Sequence, residues 1–343
     1  MSFSVGIVGL PNVGKSTLFQ ALTKIKVDIK AYPFTTIHPN VGVVRVPDER
    51  LDKIAEAVGP EKITPTIIEF IDVAGLVKGA HQGEGLGNQF LAQIRNCDAI
   101  LEIVRVFENP DVENVTGRRD EVSSSPSLRS GGLRDEVSSS PFASFESSGG
   151  KMDPASDIET IKIELELKDL EIQERKLSSP PSRVEQREEE KENLLSKKPI
   201  IYLLNTDGKS PYQVPKVKHL IMNLKDELEM SELSDSEKKE LNLKSQLDRL
   251  IVDCYHTLDL ITFFTIVGQK ETKAWTLKKG LTAAEAGGIV HSDFQEKFIR
   301  AEVIPWQKLV ELGNWKKARE SGQVKTVGKD YIVQDGDIIE FKI

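Results

Sequence analysis

A loop bounded by glycines, at residues 9–16, constrains the fold of this chain more than any other feature of its sequence. Residues 4–9 form a short apolar run with β-branched side chains, and residues 15–24 show a helical pattern. The loop reads Gly9-Leu10-Pro11-Asn12-Val13-Gly14-Lys15-Ser16 and matches GxxxxGK(S/T). This pattern is specific when a strand precedes it and a helix follows it. The sequence therefore predicts a phosphate-binding loop (P-loop) in an α/β fold.

Each position of the P-loop has a physical role in holding phosphate. Gly9 and Gly14 let the backbone close around oxygen atoms, and successive N–H groups at the helix N-terminus point at the phosphates. Lys15 is predicted to bridge the β- and γ-phosphate oxygens, and the hydroxyl of Ser16 to ligate Mg²⁺. The nucleotide-binding residues that we predict in this loop are Asn12, Val13, Gly14, Lys15, Ser16 and Thr17.

Apolar, β-branched runs continue along the first part of the chain and alternate with helical patterns. Several of these runs are almost entirely apolar, as expected for strands that are covered on both faces. The alternation predicts a doubly wound, mainly parallel sheet. We predict strands at 4–9, 41–46, 67–72, 99–106 and 200–204, and helices at 15–24, 48–58 and 88–96.

Two further motifs supply what a P-loop needs from the rest of the fold. DxxG, at Asp72 to Gly75, ends the strand 67–72, so Asp72 is predicted to reach the Mg²⁺ through water and Gly75 to offer its N–H to the γ-phosphate. Thr36, in the turn YPFTTIHP, is the predicted switch threonine whose hydroxyl completes the Mg²⁺ coordination. An ordinary turn with two adjacent threonines is the alternative. We predict Lys15, Thr36 and Gly75 as the catalytic residues.

The chain changes character after residue 116. Residues 117–150 are rich in Ser, Gly, Arg and acidic residues, and the octapeptide RDEVSSSP occurs in them twice. Such a composition predicts a disordered insert, with a docking segment as the alternative. Two charged helical patterns follow at 155–177 and 183–198, separated by SSPPS. They predict an antiparallel, coiled-coil-like hairpin, which is either a solvated arm or a lever that binds a partner.

The last part of the chain predicts a compact α+β module. We expect strands at 262–268 and 272–280, a helix over 282–299, and a closing pair of strands in KDYIVQDGDIIEFKI. Asp335 and Gly336 are predicted to form the turn of that final hairpin.

Five segments together resemble the Obg-like ATPases of the YchF family, in the translation-factor class of P-loop GTPases. They are GLPNVGKSTLFQALT, AYPFTTIHPNVGVV, DVAGLVKGAHQGEGLGNQFL, RVFENPDVENV and the tail from AWTLKKG to GKDYIVQDGDIIEF. The resemblance implies a G-domain at 1–116 and 199–260, an inserted coiled-coil arm at 151–198, and a C-terminal, ubiquitin-like TGS domain at 261–343. It also implies Mg²⁺-dependent ATP hydrolysis, GTP as an accepted alternative, and association with the ribosome.

The loop that selects the base departs from the pattern of most GTPases. These place Asn-Lys-x-Asp after a strand, because the Asp carboxylate accepts hydrogen bonds from guanine. Here Gly208 stands at the fourth position, and it departs even from the Asn-x-x-Glu typical of the YchF family. Asp207, one position earlier, is a candidate substitute for the missing carboxylate, so we predict either a preference for ATP or relaxed specificity. The residues of this loop and the next that we predict to contact the nucleotide are Asn205, Thr206, Asp207 and Asn223.

Residues that usually accelerate hydrolysis are replaced in this chain. Leu76 follows DxxG where Ras-like enzymes carry the Gln that orients the attacking water. By resemblance, Asn114 stands where family members carry a His, and an amide is no useful base near neutral pH. We therefore predict slow turnover, with Asn114 and His81 as candidate replacements. K⁺ at Asn12 is a candidate source of positive charge in the transition state.

Charge and composition exclude several classes of protein. The chain has a formal net charge of −8, which excludes a uniformly basic coat. Residues 262–343 hold 13 basic and 11 acidic residues, so by charge this tail is better placed than the acidic arm for the ribosomal contact that the resemblance implies. Cys97 and Cys254 form no CxxC pair, which excludes a disulfide framework. No apolar stretch approaches the ~18 residues that span a bilayer. We expect a cytoplasmic protein without membrane contact or DNA sequence recognition, and keep a nucleotide-dependent adaptor with negligible hydrolysis as the alternative function.

Overall fold

The structure is a computed structural model with two six-stranded sheets. Four of the predicted site residues, Thr36, Gly75, His81 and Asn114, lie outside the described residues, as do the 117–150 insert and most of the predicted helices 88–96 and 183–198. The residues that the structure describes are 3–25, 40–73, 93–107, 153–177, 194–209, 215–268 and 270–343.

The first sheet has the strand order β2-β4-β1-β5-β6-β7 and is parallel except for β2, which runs antiparallel to β4. All five strands predicted for it are confirmed to within one residue at each end, whereas β7 was not predicted. Its strands are β1 (Phe3–Val8), β2 (Val41–Arg45), β4 (Ile67–Asp72), β5 (Ala99–Arg105), β6 (Ile200–Asn205) and β7 (His219–Met222).

Helices cover the first sheet, and this explains its nearly continuous apolar strands. All seven residues of β5 are buried, because a central parallel strand has no solvent-facing side. Together with a doubly wound order, this confirms the predicted α/β class. The helices that belong to this part are α1 (Lys15–Thr23), α3 (Pro154–Leu177), α4 (Leu224–Glu232), α5 (Asp235–Glu240) and α6 (Leu247–Thr257).

The second sheet has the order β11-β10-β12-β8-β9-β3 and is built mainly from residues 260–343, which we call the C-terminal module. Its strands are β3 (Lys62–Thr64), β8 (Leu260–Val267), β9 (Glu271–Lys278), β10 (Arg300–Pro305), β11 (Lys325–Val327) and β12 (Asp337–Lys342). Its helices are α2 (Glu49–Val58), α7 (Ala283–Val290), α8 (Ser292–Glu296), α9 (Trp306–Leu312) and α10 (Trp315–Glu320).

The end of the C-terminal module differs from its prediction. The prediction of a final hairpin is wrong. Strand β12 pairs antiparallel with β10 and parallel with β8, and both partners are distant from it in sequence. Gly336 does make a turn, but its N–H donates to the carbonyl of Thr262 on β8 (2.8 Å). The helix predicted over 282–299 is interrupted at His291, whose backbone is extended and whose side chain accepts from Asp293 N–H to start α8.

The first part of helix α3 packs against the first sheet, although the prediction assigned the whole helix to the arm. Ile158, Ile161 and Leu165 are at most 8% exposed and pack in the cores under the sheet, whereas Leu170 is 54% exposed. The end predicted for the second arm helix is a 3₁₀ turn, Leu195–Lys197, rather than α-helix. The extent of the arm itself stays a prediction.

Residues 48–64 pack with the C-terminal module, although the prediction placed all of 1–116 in the G-domain. Strand β3 pairs with β9, and Leu51 and Ile54 of α2 lie in a core with Phe264 and Ile304. The sequence pattern predicted the helix at 48–58 but not that it packs against the C-terminal module. Among the helices of the described ranges, none is long and apolar enough to cross a membrane.

Candidate nucleotide-binding site

The P-loop follows the central strand β1 and leads directly into α1. Gly14 has a φ of 107°, in the left-handed region, and a Cβ there would lie 2.7 Å from the amide nitrogen of Asn205. A Cβ on Gly9 would lie 2.6 Å from the carbonyl oxygen of Ile103 on β5. The close approach of two neighbouring strands therefore requires glycine at both ends of the loop. Asn12 is also left-handed, with a φ of 62°, which Asn tolerates better than most residues.

Lys15 starts α1 and lies inside the loop. Its ammonium group is almost fully buried and donates to the carbonyl oxygens of Gly9 (3.1 Å) and Leu10 (2.8 Å). Burial lowers the pKa of Lys15, and the nearby carboxylate of Asp72 partly offsets that shift. The loop thus holds a cation at the place where the GxxxxGK(S/T) pattern predicts contact with phosphate.

Asp72 is the last residue of β4 and lies beside Ile7 of β1, next to the start of the P-loop. Its N–H donates to the carbonyl oxygen of Asn40 (2.9 Å). Burial raises the pKa of the Asp72 carboxyl, while Lys15 opposes that rise. The site therefore places a partly desolvated carboxylate within electrostatic reach of the Lys15 ammonium group.

The donors at this edge of the sheet fit Mg²⁺. The hydroxyl of Ser16 lies at the exposed start of α1, and the half-buried carboxylate of Asp72 is destabilised by desolvation. A hard divalent cation prefers such oxygen ligands and would offset the cost of burying the carboxylate. Mg²⁺ is thus consistent with the residues present.

Asn205, at the end of β6, joins the P-loop to the start of α4 through two hydrogen bonds. Its amide nitrogen donates to the carbonyl oxygen of Val13 (2.9 Å), and its amide oxygen accepts from the N–H of Leu224 at the start of α4 (3.1 Å). The residue is 6% exposed. Sequence reasoning predicted Asn205 as a nucleotide contact and missed this bracing role, because the bonded residues are 192 positions apart.

The loop after β6 lies beside the loop after β7, since Thr206 N–H donates to the carbonyl of Met222 (3.0 Å). Thr206 accepts from Gly208 N–H (3.0 Å), and a carboxylate oxygen of Asp207 accepts from Lys209 N–H (3.0 Å). Asn223 caps α4, and its side-chain oxygen accepts from the backbone N–H groups of Lys225 and Asp226.

The structure brings together the described part of the predicted site. The P-loop, Asp72 and the two loops at Asn205 and Asn223 all follow carboxyl ends of neighbouring parallel strands, where doubly wound folds bind their ligands. Predictions for Thr36, Gly75, His81 and Asn114 concern residues outside the described ranges. The sequence analysis did not predict that the carbonyl of Ile103 lies close to Gly9. The sequence hint of this contact is the almost unbroken apolar run of β5, which predicts a buried strand but not its contact with the P-loop.

Comparison with known proteins identifies the two parts of the chain. A family described as "50S ribosome-binding GTPase" matches residues 4–127, and a C-terminal YchF GTPase family, described as "Protein of unknown function (DUF933)", matches residues 260–343. The chain is 39% identical to "Ribosome-binding ATPase YchF" of Bacillus subtilis (strain 168), with 100% of this chain and 99% of the relative covered.

Other relatives agree with this result. The protein of the same name from Escherichia coli O157:H7 is 37% identical, with 99% of both chains covered. A solved structure of the Schizosaccharomyces pombe YchF GTPase has a TM-score of 0.73 and 30% identity, and covers 99% of this chain and 98% of that one. By full-length identity and fold, the chain belongs to the YchF family of P-loop NTPases.

Proposed function

We propose that this protein is a slow, Mg²⁺-dependent ATPase that binds the ribosome in the cytoplasm and switches with its nucleotide. The observation that supports this most directly is the assembled P-loop, in which buried Lys15 lies beside Asp72 and Asn205 braces the loop. The relatives named ribosome-binding ATPase support the nucleotide and the partner.

The chain's own residues have separate tasks in this reaction. Backbone N–H groups of Asn12 to Thr17 and the ammonium of Lys15 hold the phosphate oxygens, while water attacks the γ-phosphorus and the bond to the β–γ bridging oxygen breaks. Ser16 and, through water, Asp72 would hold Mg²⁺, which supplies positive charge to the phosphoryl oxygens. We propose Thr36 and Gly75 as sensors of the γ-phosphate.

Two features support ATP as the preferred substrate and slow turnover. Gly208 has no carboxylate to accept from guanine, and the Asp207 carboxylate, one position earlier, already accepts from a backbone N–H. Leu76 cannot orient water, and Asn114 cannot act as a base. A hydrolysis rate that depends on the ribosome would follow, because the partner can supply what the isolated site lacks.

The test is phosphate release from ATP and GTP, measured with and without ribosomes. Lys15→Ala is expected to lower turnover by about a hundredfold or more, since it removes a charge aimed at the transferred phosphoryl group. Lys24→Ala is the matched control, because Lys24 lies at the end of the same helix and pairs only with exposed Glu232 among the described side chains (2.5 Å).

Three outcomes separate the alternatives. Turnover that depends on Lys15 but not on Lys24 supports the ATPase. Tight ATP binding without phosphate release in any condition would instead favour the nucleotide-dependent adaptor. A hundredfold preference for GTP would contradict the proposed substrate.

A further inference from the structure

The segment that connects β2 to β4 is much longer than two neighbouring antiparallel strands require. Antiparallel neighbours are commonly joined by loops of about two to five residues. Here residues 46–66, which we call the 46–66 connection, separate the end of β2 from the start of β4. The first and last residues of the connection are hydrogen-bonded, since Val46 N–H donates to the carbonyl of Thr66 (2.9 Å). Between these two residues it leaves the first sheet and enters the C-terminal module.

The helix of the connection, α2, is part of the C-terminal core. Leu51 is 3% and Ile54 0% exposed, and both belong to a cluster completed by residues of the C-terminal module, including Phe264 and Leu309. Burying these side chains removes their apolar surface from water and stabilises the packed state. Helix α2 is thus packed into the core of the C-terminal module.

The strand of the connection, β3, extends the second sheet at its edge. Lys62 N–H donates to the carbonyl of Lys270 (3.1 Å), and the hydroxyl of Thr64 donates to the carboxylate of Glu271 (2.7 Å). Parallel pairing with β9 runs over all three residues of β3. Backbone pairing and core packing therefore anchor two successive elements.

A charged clamp fixes the entrance of α2. The guanidinium of Arg50 donates to Asp48 (2.8 Å) and to Asp335 of the C-terminal module (2.7 Å), and the other Asp335 oxygen accepts from Thr262 N–H (2.9 Å). The Arg50 side chain is 24% exposed and lies over the ring of Phe264 (5.6 Å to the centroid). Partial burial and two carboxylates make this clamp stronger than an ordinary surface pair.

The segment that contains the 46–66 connection, residues 40–72, has both of its ends at the proposed nucleotide site. Strand β4 ends at Asp72, which interacts with Lys15, and Asp72 N–H holds the carbonyl of Asn40, just before β2. The antiparallel register of β2 and β4 joins the two ends along five residue pairs. The two strands that end at the site are therefore joined through the 46–66 connection to α2 and β3.

We propose that the 46–66 connection couples nucleotide binding at Lys15 and Asp72 to the packing of α2 and β3 in the C-terminal module. This inference rests on the nucleotide switch proposed above and names the part of the chain that receives its signal. By thermodynamic reciprocity, a change that loosens the junction must alter nucleotide affinity by the same factor by which nucleotide alters the junction. The intact junction holds Asn40 and Asp72 in place, so loosening it weakens binding.

The test compares two arginine variants of the full chain by titration with a fluorescent ATP analogue and Mg²⁺. Arg50→Ala opens the clamp and is expected to raise the dissociation constant at least about fivefold. Arg319→Ala is the matched control, because Arg319 pairs with Glu302 and Glu340 inside the C-terminal module. Equal affinities for wild type and both variants would overturn the proposal.

Hydrogen exchange of the wild-type chain, with and without ATP, provides a measurement that needs no variant. We expect ATP to slow amide exchange in β2 and β4 and also in residues 49–64, with β11 at the far edge of the sheet unchanged. Slower exchange in β2 and β4 alone would overturn the coupling and leave the proposed switch intact. No response in β2 and β4 would contradict both.

Discussion

Glu102 is a buried carboxyl group whose removal should stabilise the protein. It lies in the middle of β5 between Val8 of β1 and Tyr202 of β6, and it is 1% exposed. Within the described residues, its Oε1 atom has no hydrogen-bond partner. Burial, and then the nearby carboxylate of Asp157, raise the pKa of Glu102 from 4.5 to about 8. The pKa of Asp157 itself is raised to about 6, mainly by burial.

The direction of the pH effect follows from these pKa values. Between pH 4.5 and about 8, the folded state keeps a proton on Glu102 that the unfolded chain releases. The folded state is therefore destabilised as pH rises through this window. At pH 7 the cost is roughly 3 kcal/mol and at pH 5.5 roughly 1 kcal/mol, because each pH unit above 4.5 adds about 1 kcal/mol. Glu102→Gln removes this cost because an amide of similar shape does not ionise.

Urea unfolding of Glu102→Gln and wild type at the two pH values measures the difference. We expect the variant to be more stable by about 3 kcal/mol at pH 7 and by about 1 kcal/mol at pH 5.5. Glu166→Gln, at an exposed position of α3, is the control and should change little. A variant that is less stable at pH 7, or one whose effect is the same at both pH values, would refute the reasoning. The first result would mean that the folded protein holds Glu102 ionised and paired, and the second that the difference in stability does not come from the titration of Glu102.

Three further predictions concern the nucleotide site. Asn205→Ala removes the bonds to Val13 and Leu224 and should lower the free energy of unfolding by about 1–3 kcal/mol and weaken ATP binding, as measured by urea unfolding and ATP titration. Gly208→Asp should raise the ratio of GTP to ATP affinity about tenfold, whereas Gly208→Asn, with the same φ of 71° and no carboxylate, should not. If K⁺ acts at Asn12, turnover in K⁺ buffer should exceed that in Na⁺ buffer, and Asn12→Ala should abolish the difference; equal rates would remove this role.

The P-loop could be predicted because its constraints are contiguous in sequence. Gly9, Gly14 and Lys15 follow a buried strand and open a helix, so periodicity and residue type identify the same turn. Five of the six strands of the first sheet were equally visible, since strands buried on both faces leave almost unbroken apolar runs. Edge strands such as β3 and β7 lack that signal, and neither was predicted. The Asn205 brace was missed for another reason, because its partner Val13 lies on a distant strand connection.

The junction between the two sheets shows what local patterns leave undetermined. The helix at 49–58 was predicted almost to the residue, because its capping Asp48 and its apolar spacing are local. An apolar stripe, however, specifies that a helix is buried and not which sheet buries it. In the folded chain the C-terminal module buries it, and Arg50 of this helix donates to Asp335 of that module, 285 positions away. Strands β2 and β4 beside the P-loop are therefore joined to the C-terminal module through the 46–66 connection, although the sequence presents the two parts as separate domains.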